Sequence, residues 1–129
     1  MSANILLLEP DAIMGRIYQT SLTKKGHVVN RFSNADAAIA SIDQHLPDLV
    51  IVELQLPMHN GVEFLYEFRS YQDLVHIPVV ILTNIPPMLK SFNSGFWEQL
   101  GVAAYHYKPL TKLSDLTRSI DRVLANVSA

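Results

Sequence analysis

Pro47-Asp48-Leu49-Val50-Ile51-Val52-Glu53-Leu54-Gln55-Leu56-Pro57 decides how this chain folds. Pro47 and Asp48 break the helical pattern before them, and Leu49 to Val52 form an unbroken apolar, mostly β-branched run. A strand with one wet face alternates apolar and polar residues. A continuous run suits a strand covered on both faces, as in a parallel sheet. Glu53 follows at once and stands at the strand's carboxyl end. Asn60-Gly61 is a turn signal, after which Val62, Leu65 and Phe68 recur at helical spacing with Glu63 and Glu67 facing out.

The same unit repeats on either side. Ile5 to Leu8 reads as a first buried strand, ended by Glu9 and Pro10. A helix follows from Asp11, its N-cap, to Lys25, with Ile13, Ile17 and Leu22 at helical spacing and Tyr18 beside them. Lys24-Lys25-Gly26 stops it, with basic residues in the last turn and then glycine. His27 to Phe32 is a second strand. Ser33 or Asn34 caps a helix whose face is Ala37, Ala38, Ile39 and Ile42. Ile77 to Leu82 is a fourth strand, with Pro78 tolerated near its start. Pro86 to Leu100 reads as a fourth helix with Pro86-Pro87 in its first turn, ended by Gly101. Ala103 to Tyr107 is a fifth strand. Thr111 to Val127 is a last helix with Leu113, Leu116, Ile120, Val123, Leu124 and Val127 inward.

Strand and helix thus alternate without an internal linker or repeat. The alternation predicts one α/β domain, 1–129, with an open, doubly wound parallel sheet and helices on both faces. In such sheets chemistry sits beyond the carboxyl ends of the strands. Glu9, Glu53, Thr83 and Lys108 each stand there.

Composition agrees with this and narrows the function. A chain of 129 residues, 49% hydrophobic and 17% charged, has the size and balance of one globular domain. Its formal charge of −2 supplies no basic field for nucleic acid or an anionic membrane. The absence of cysteine excludes disulfides and thiolate zinc sites. The run Ile5 to Leu8 is too short for a signal-peptide core, and no apolar stretch is long enough to span a bilayer. The expected location is the cytoplasm. His27, His45, His59, His76 and His106 are scattered, with no two at metal-ligand spacing on one helix, and are read as ordinary histidines.

From Ile5 to about Val127 the chain resembles the response-regulator receiver family. Pro47 to Pro57 with Asn60-Gly61 resembles the family's third strand and phosphorylation loop. Ile77-Pro78-Val79-Val80-Ile81-Leu82-Thr83 resembles the fourth strand and its switch hydroxyl. Ala104-Tyr105-His106-Tyr107-Lys108-Pro109 resembles the fifth strand, its switch aromatic and its lysine-proline pair. The resemblance implies a CheY-like, flavodoxin-like sheet in the order 2-1-3-4-5. It also implies a site in which an acidic pair after strand one and an acceptor aspartate hold Mg²⁺, while threonine and lysine bind phosphoryl oxygens. In the family the lysine–proline peptide is often cis, which would aim Lys108 at the acidic centre.

Two required parts differ. Glu53 stands at the acceptor position, its carboxylate about 1.5 Å further out than an aspartate's. A displacement near 1 Å already costs about a hundredfold in a positioned reaction. Pro10 stands where the second acidic residue belongs and has no side-chain oxygen. Glu9 and Asp11 flank it without obviously replacing it. Mg²⁺, which needs near-octahedral oxygen ligation, is therefore not expected. Glu53 is either a remnant of a decayed site or a partial mimic of the phosphorylated state paired with Lys108, with less charge than a phosphoryl group.

The expected function is that of a non-enzymatic pseudo-receiver, stand-alone or N-terminal in a longer protein, acting through protein contacts. The alternative is a working Mg²⁺-dependent phosphoacceptor with an unusual carboxylate. A flavodoxin-like cofactor binder is disfavoured, since no phosphate-cradling loop follows Leu8. The segment from Thr83 to Lys108 is longer than the family's usual one and carries Phe92, Phe96 and Trp97, read as local core or as a reshaped partner surface. The resemblance places partner binding, and a possible homodimer, on helix four, strand five and helix five.

Overall fold

The computed structural model describes residues 2–87 and 94–128. Five parallel strands, β1 (Asn4–Leu8), β2 (Val28–Phe32), β3 (Leu49–Val52), β4 (Val79–Thr83) and β5 (Val102–Tyr107), form one sheet in the order β2-β1-β3-β4-β5. The helices are α1 (Ala12–Lys24), α2 (Ala35–Ser41), α3 (Gly61–Ser70), α4 (Ser94–Gln99) and α5 (Leu113–Ser128). Every residue of β3 and β4 is buried, as the unbroken apolar runs require of central strands with two covered faces.

Strand side chains alternate between two cores. Leu6, Leu8, Val50, Val52, Val79 and Ile81 point to the layer holding Ala38, Phe64, Leu65 and Phe68. Ile5, Leu7, Leu49, Ile51, Val80 and Leu82 point to the layer holding Tyr18, Leu22, Leu116 and Ile120. Parallel pairing in register, from Ile5 opposite Leu49 to Leu8 opposite Val52, brings the carboxyl ends of β1 and β3 level. Glu9 and Glu53 therefore emerge side by side. Among the described residues, no helix is long and apolar enough to cross a membrane.

Several expectations are corrected. Ile13 and Ile17 keep helical spacing but face solvent; of the apolar positions expected in α1, Tyr18 and Leu22 are buried, together with Gly15. Leu113 and Val127 are exposed, and Leu116, Ile120, Val123 and Leu124 form the buried face of α5. Pro86 and Pro87 are not helical; the described fourth helix is Ser94–Gln99, and Phe92 lies outside the described residues. Phe96 and Trp97 pack edge to face at 4.9 Å and lie against the first core, in line with the core reading of these aromatics. The Lys108–Pro109 peptide is trans.

One staple was not foreseen. The Arg69 guanidinium donates to the carbonyls of Leu74 (2.7 Å), Ile77 (2.6 Å) and Leu100 (2.8 Å), tying α3 to the turns that feed β4 and β5.

The loop after β3 is closed at Gly61. Its amide donates to the Leu54 carbonyl at 2.8 Å, and Asn60 and Glu63 form a reciprocal capping box at the start of α3. A Cβ on Gly61 would lie 2.7 Å from Leu54 Cα and 2.8 Å from the Glu53 carbonyl oxygen. Both neighbours are backbone and cannot swing aside. Gly61→Ala is expected to lower stability by about 1–3 kcal/mol, the usual cost of overpacking, read as a fall in the urea unfolding midpoint at constant m-value.

Candidate functional site

Four strand ends converge on one charged centre. Glu53 follows β3, and its amide donates to the Leu8 carbonyl at 3.0 Å, extending the β1–β3 ladder by one bond. Glu9 follows β1, Thr83 closes β4, and Lys108 follows β5. The Lys108 Nζ lies 2.7 Å from Glu9 Oε1 and 2.8 Å from Glu53 Oε1, joining both carboxylates. Glu9 and Glu53 are only 2% and 4% exposed, and Thr83 is fully buried.

The remaining oxygens are also committed. Glu53 Oε2 accepts from the Thr83 hydroxyl and from the Gln55 amide at 3.0 Å. Glu9 Oε2 accepts from the Asp11 amide at 3.1 Å. Thr83 Oγ1 accepts from the Ile85 amide at 3.2 Å, and the Tyr105 hydroxyl donates to the Ile85 carbonyl at 2.8 Å. A continuous bonded path thus runs from Glu53 through Thr83 and Ile85 to Tyr105. The Tyr105 ring turns inward against Trp97, with centroids 5.5 Å apart.

Electrostatics follow from burial and pairing. Burial alone would raise Glu53, but hydrogen bonds from Lys108, Thr83 and the Gln55 amide outweigh it and hold the carboxyl below its ordinary value. Burial would lower Lys108, yet its bonds to Glu53 and Glu9 leave it raised. Burial raises the Tyr105 phenol, with Glu53 adding to the shift. All three side chains are therefore held in one charge state at neutral pH: carboxylate, ammonium and neutral phenol.

Asp11 is close in sequence but turned to another task. Its Oδ1 accepts from the amides of Ile13 (2.9 Å) and Met14 (3.0 Å), capping α1. With Pro10, Asp11 lines an open cleft of about 460 Å³ above the centre, together with Glu9, Glu53, Asn84 and Lys108.

A divalent cation is a poor fit to this arrangement. Mg²⁺ needs oxygens free to turn towards it. Here each oxygen of Glu9 and Glu53 already accepts from a protein donor, Pro10 supplies none, and Asp11 Oδ1 caps a helix. Among the described residues, no three His, Cys, Asp or Glu side chains are grouped to hold a metal. The Lys108 ammonium occupies the space between the two carboxylates.

The structure brings Glu9, Glu53, Thr83, Lys108 and Tyr105 into one bonded network, joined by Arg31 over Gly15, two residues the sequence had not pointed to. Arg31 reaches from β2 across α1, and its Nε and Nη2 donate to the carbonyls of Glu9 (3.0 Å) and Pro10 (3.3 Å). The available signal was a glycine inside a helix, which usually has a packing reason. The histidines take local roles: His27 Nδ1 accepts from the Ala3 amide at 3.1 Å, and His106 Nε2 pairs with Ser119 Oγ at 2.8 Å.

The response regulator receiver domain model matches residues 5–120, and the chain belongs to that family, with a CheY-like fold. Among curated proteins it is similar to the transcriptional regulatory protein QseB of Haemophilus influenzae, 36% identical over 95 residues, covering 70% of this chain and 42% of that protein. It is also similar to the virulence transcriptional regulatory protein PhoP of Salmonella typhimurium, 33% identical over 79 residues, covering 61% of this chain and 34% of that protein. The chain thus spans less than half the length of these relatives. Solved folds agree: a CheY-like receiver domain protein from Methanospirillum hungatei JF-1 has a TM-score of 0.85 at 22% identity, covering 99% of this chain and 98% of that chain. A sensor protein from Polaromonas sp. JS666 has a TM-score of 0.85 at 24% identity, covering 96% and 97%.

The ion triad makes stability depend on pH in two directions. Glu53 is lowered on folding, so its contribution is present above about pH 4.3 and is lost as pH falls through the lower folded value. Lys108 is raised, so its contribution is present below about pH 10.4 and is lost as pH rises through the higher folded value. Lys108→Met leaves two buried carboxylates without their cation and is expected to cost about 3–5 kcal/mol at pH 7. Urea unfolding of both proteins at pH 7 and pH 4 checks this: the difference should shrink at pH 4, where the unpaired carboxylates can take up protons.

Proposed function

We propose that this receiver domain signals through protein contacts without a phosphorylation cycle, as a non-enzymatic pseudo-receiver that uses no Mg²⁺. The observation that carries the reading is the pairing of Glu53 with both Thr83 and Lys108, the two groups expected from the family to receive phosphoryl oxygens. Glu53 thereby serves as a built-in, partial substitute for the phosphorylated state. A planar carboxylate brings less charge and fewer oxygens than an acyl phosphate, but it holds the threonine hydroxyl inward.

The consequence at the surface follows the bonded path. Thr83 holds the Ile85 amide, the Ile85 carbonyl holds the Tyr105 hydroxyl, and the tyrosine stays turned in. The surface of α4, β5 and α5, next to Tyr105, is the proposed partner face. Support comes from β5, an edge strand in which every residue is at least partly exposed. The occupant is a protein, a second copy of the chain included; the chain's net charge of −2 argues against nucleic acid. The proposed location is the cytoplasm, where the partners of receiver signalling lie.

A second reading, a working Mg²⁺-dependent phosphoacceptor, has one observation in its favour: the open cleft reaches Glu53, so a small phosphodonor could approach. Incubation with acetyl phosphate and Mg²⁺ followed by intact mass separates the two. The parent chain is expected to stay unmodified, and an adduct is expected only when Glu53→Asp and Pro10→Asp are combined. A stoichiometric adduct on the parent would support the second reading, and ready phosphorylation of the single Glu53→Asp variant would remove Pro10 from the explanation.

A further inference from the structure

We propose that Arg31, seated over Gly15, is the positioning residue that aims Glu9 at Lys108, an internal cation clamping the loop between β1 and α1. The inference deepens the metal-free reading of the site and rests on it. Glycine inside a helix costs stability relative to alanine, so Gly15, the fourth residue of α1, calls for a cause. The cause is steric. A Cβ on Gly15 would lie 2.5 Å from Arg31 Cδ and closer still to its Nε. With a Cβ at this position the arginine side chain would have to leave its present path across α1.

What the crossing achieves is set by where the guanidinium ends. Arg31 Nε donates to the Glu9 carbonyl at 3.0 Å, and Nη2 donates to the Pro10 carbonyl at 3.3 Å. The Glu9 amide donates to the Phe32 carbonyl at 3.0 Å. Both backbone groups of Glu9 are thus tied to β2, one through Phe32 and one through Arg31. Pro10, with a fixed φ and no N–H, adds rigidity but no donor. With its backbone held on two sides, Glu9 has a fixed base from which its carboxylate meets the Lys108 ammonium 2.7 Å away. The loop is held by an arginine from the neighbouring strand.

The test reads Lys108 rather than stability, because Gly15→Ala changes helix propensity and packing in opposite directions. Trace acetylation with acetic anhydride at pH 8, followed by peptide mapping, compares Lys108 with Lys24 and Lys25 as references in the same molecule. In the parent, Lys108 should react far more slowly than either. Arg31→Met and Gly15→Ala should each raise its relative rate several-fold, with Arg31→Lys in between. Gly15→Ala keeps the arginine and improves helix propensity, so it preserves the fold if Arg31→Met does not. A lower urea midpoint with an unchanged relative rate at Lys108 would overturn the proposal and leave Arg31 a purely structural residue. An acetyl phosphate adduct on the parent, with Lys108 still responding to these variants, would overturn the functional reading alone.

Discussion

The centre of this structure depends on one ammonium group placed between two carboxylates. Lys108 Nζ meets Glu9 at 2.7 Å and Glu53 at 2.8 Å, where all three side chains are nearly shut off from water. Three charges in such a place are costly unless each is paired and hydrogen-bonded. That requirement explains the density of partners around them. Thr83 and the Gln55 amide complete Glu53, and the Asp11 amide completes Glu9. Among the described residues, no buried side-chain nitrogen or oxygen lacks a hydrogen-bond partner.

The sheet order makes the meeting possible. β1 and β3 lie side by side and in register, so residues following each emerge as neighbours; β4 brings Thr83 up beside Glu53. Lys108 comes from the edge strand β5, one strand further out, and only a long side chain can span that distance to reach both glutamates. It does so across a trans Lys108–Pro109 peptide. Glu53, whose extra methylene implied a displaced carboxylate, meets Thr83 and Lys108 together.

Much of this was legible in the sequence. The apolar runs of β1, β3 and β4 fixed both the strands and their burial, and strand ends identified the four charged or hydroxylic residues of the centre. What was missed has a common physical origin. In α1 Tyr18 and Leu22 are buried as expected, but Ile13 and Ile17, which carry much of the hydrophobic signal, are exposed, and the buried stripe is completed by Gly15, which has no side chain to announce it. Gly15 owes its place to Arg31, and Arg31 owes its role to backbone carbonyls, which no side-chain pattern reports. At the ends of α5, Leu113 and Val127 keep the helical spacing of the buried face yet are exposed, a difference that periodicity alone does not report.

The central proposal is that the acidic centre, closed around its own lysine, does not take up a divalent cation. Mn²⁺, a paramagnetic stand-in for Mg²⁺, tests it most directly when titrated into the ¹⁵N-labelled chain while amide line widths are followed. The expected result is no saturable broadening centred on Glu9, Glu53 and Gln55. Saturable broadening of those amides, relieved by excess Mg²⁺, would contradict the account.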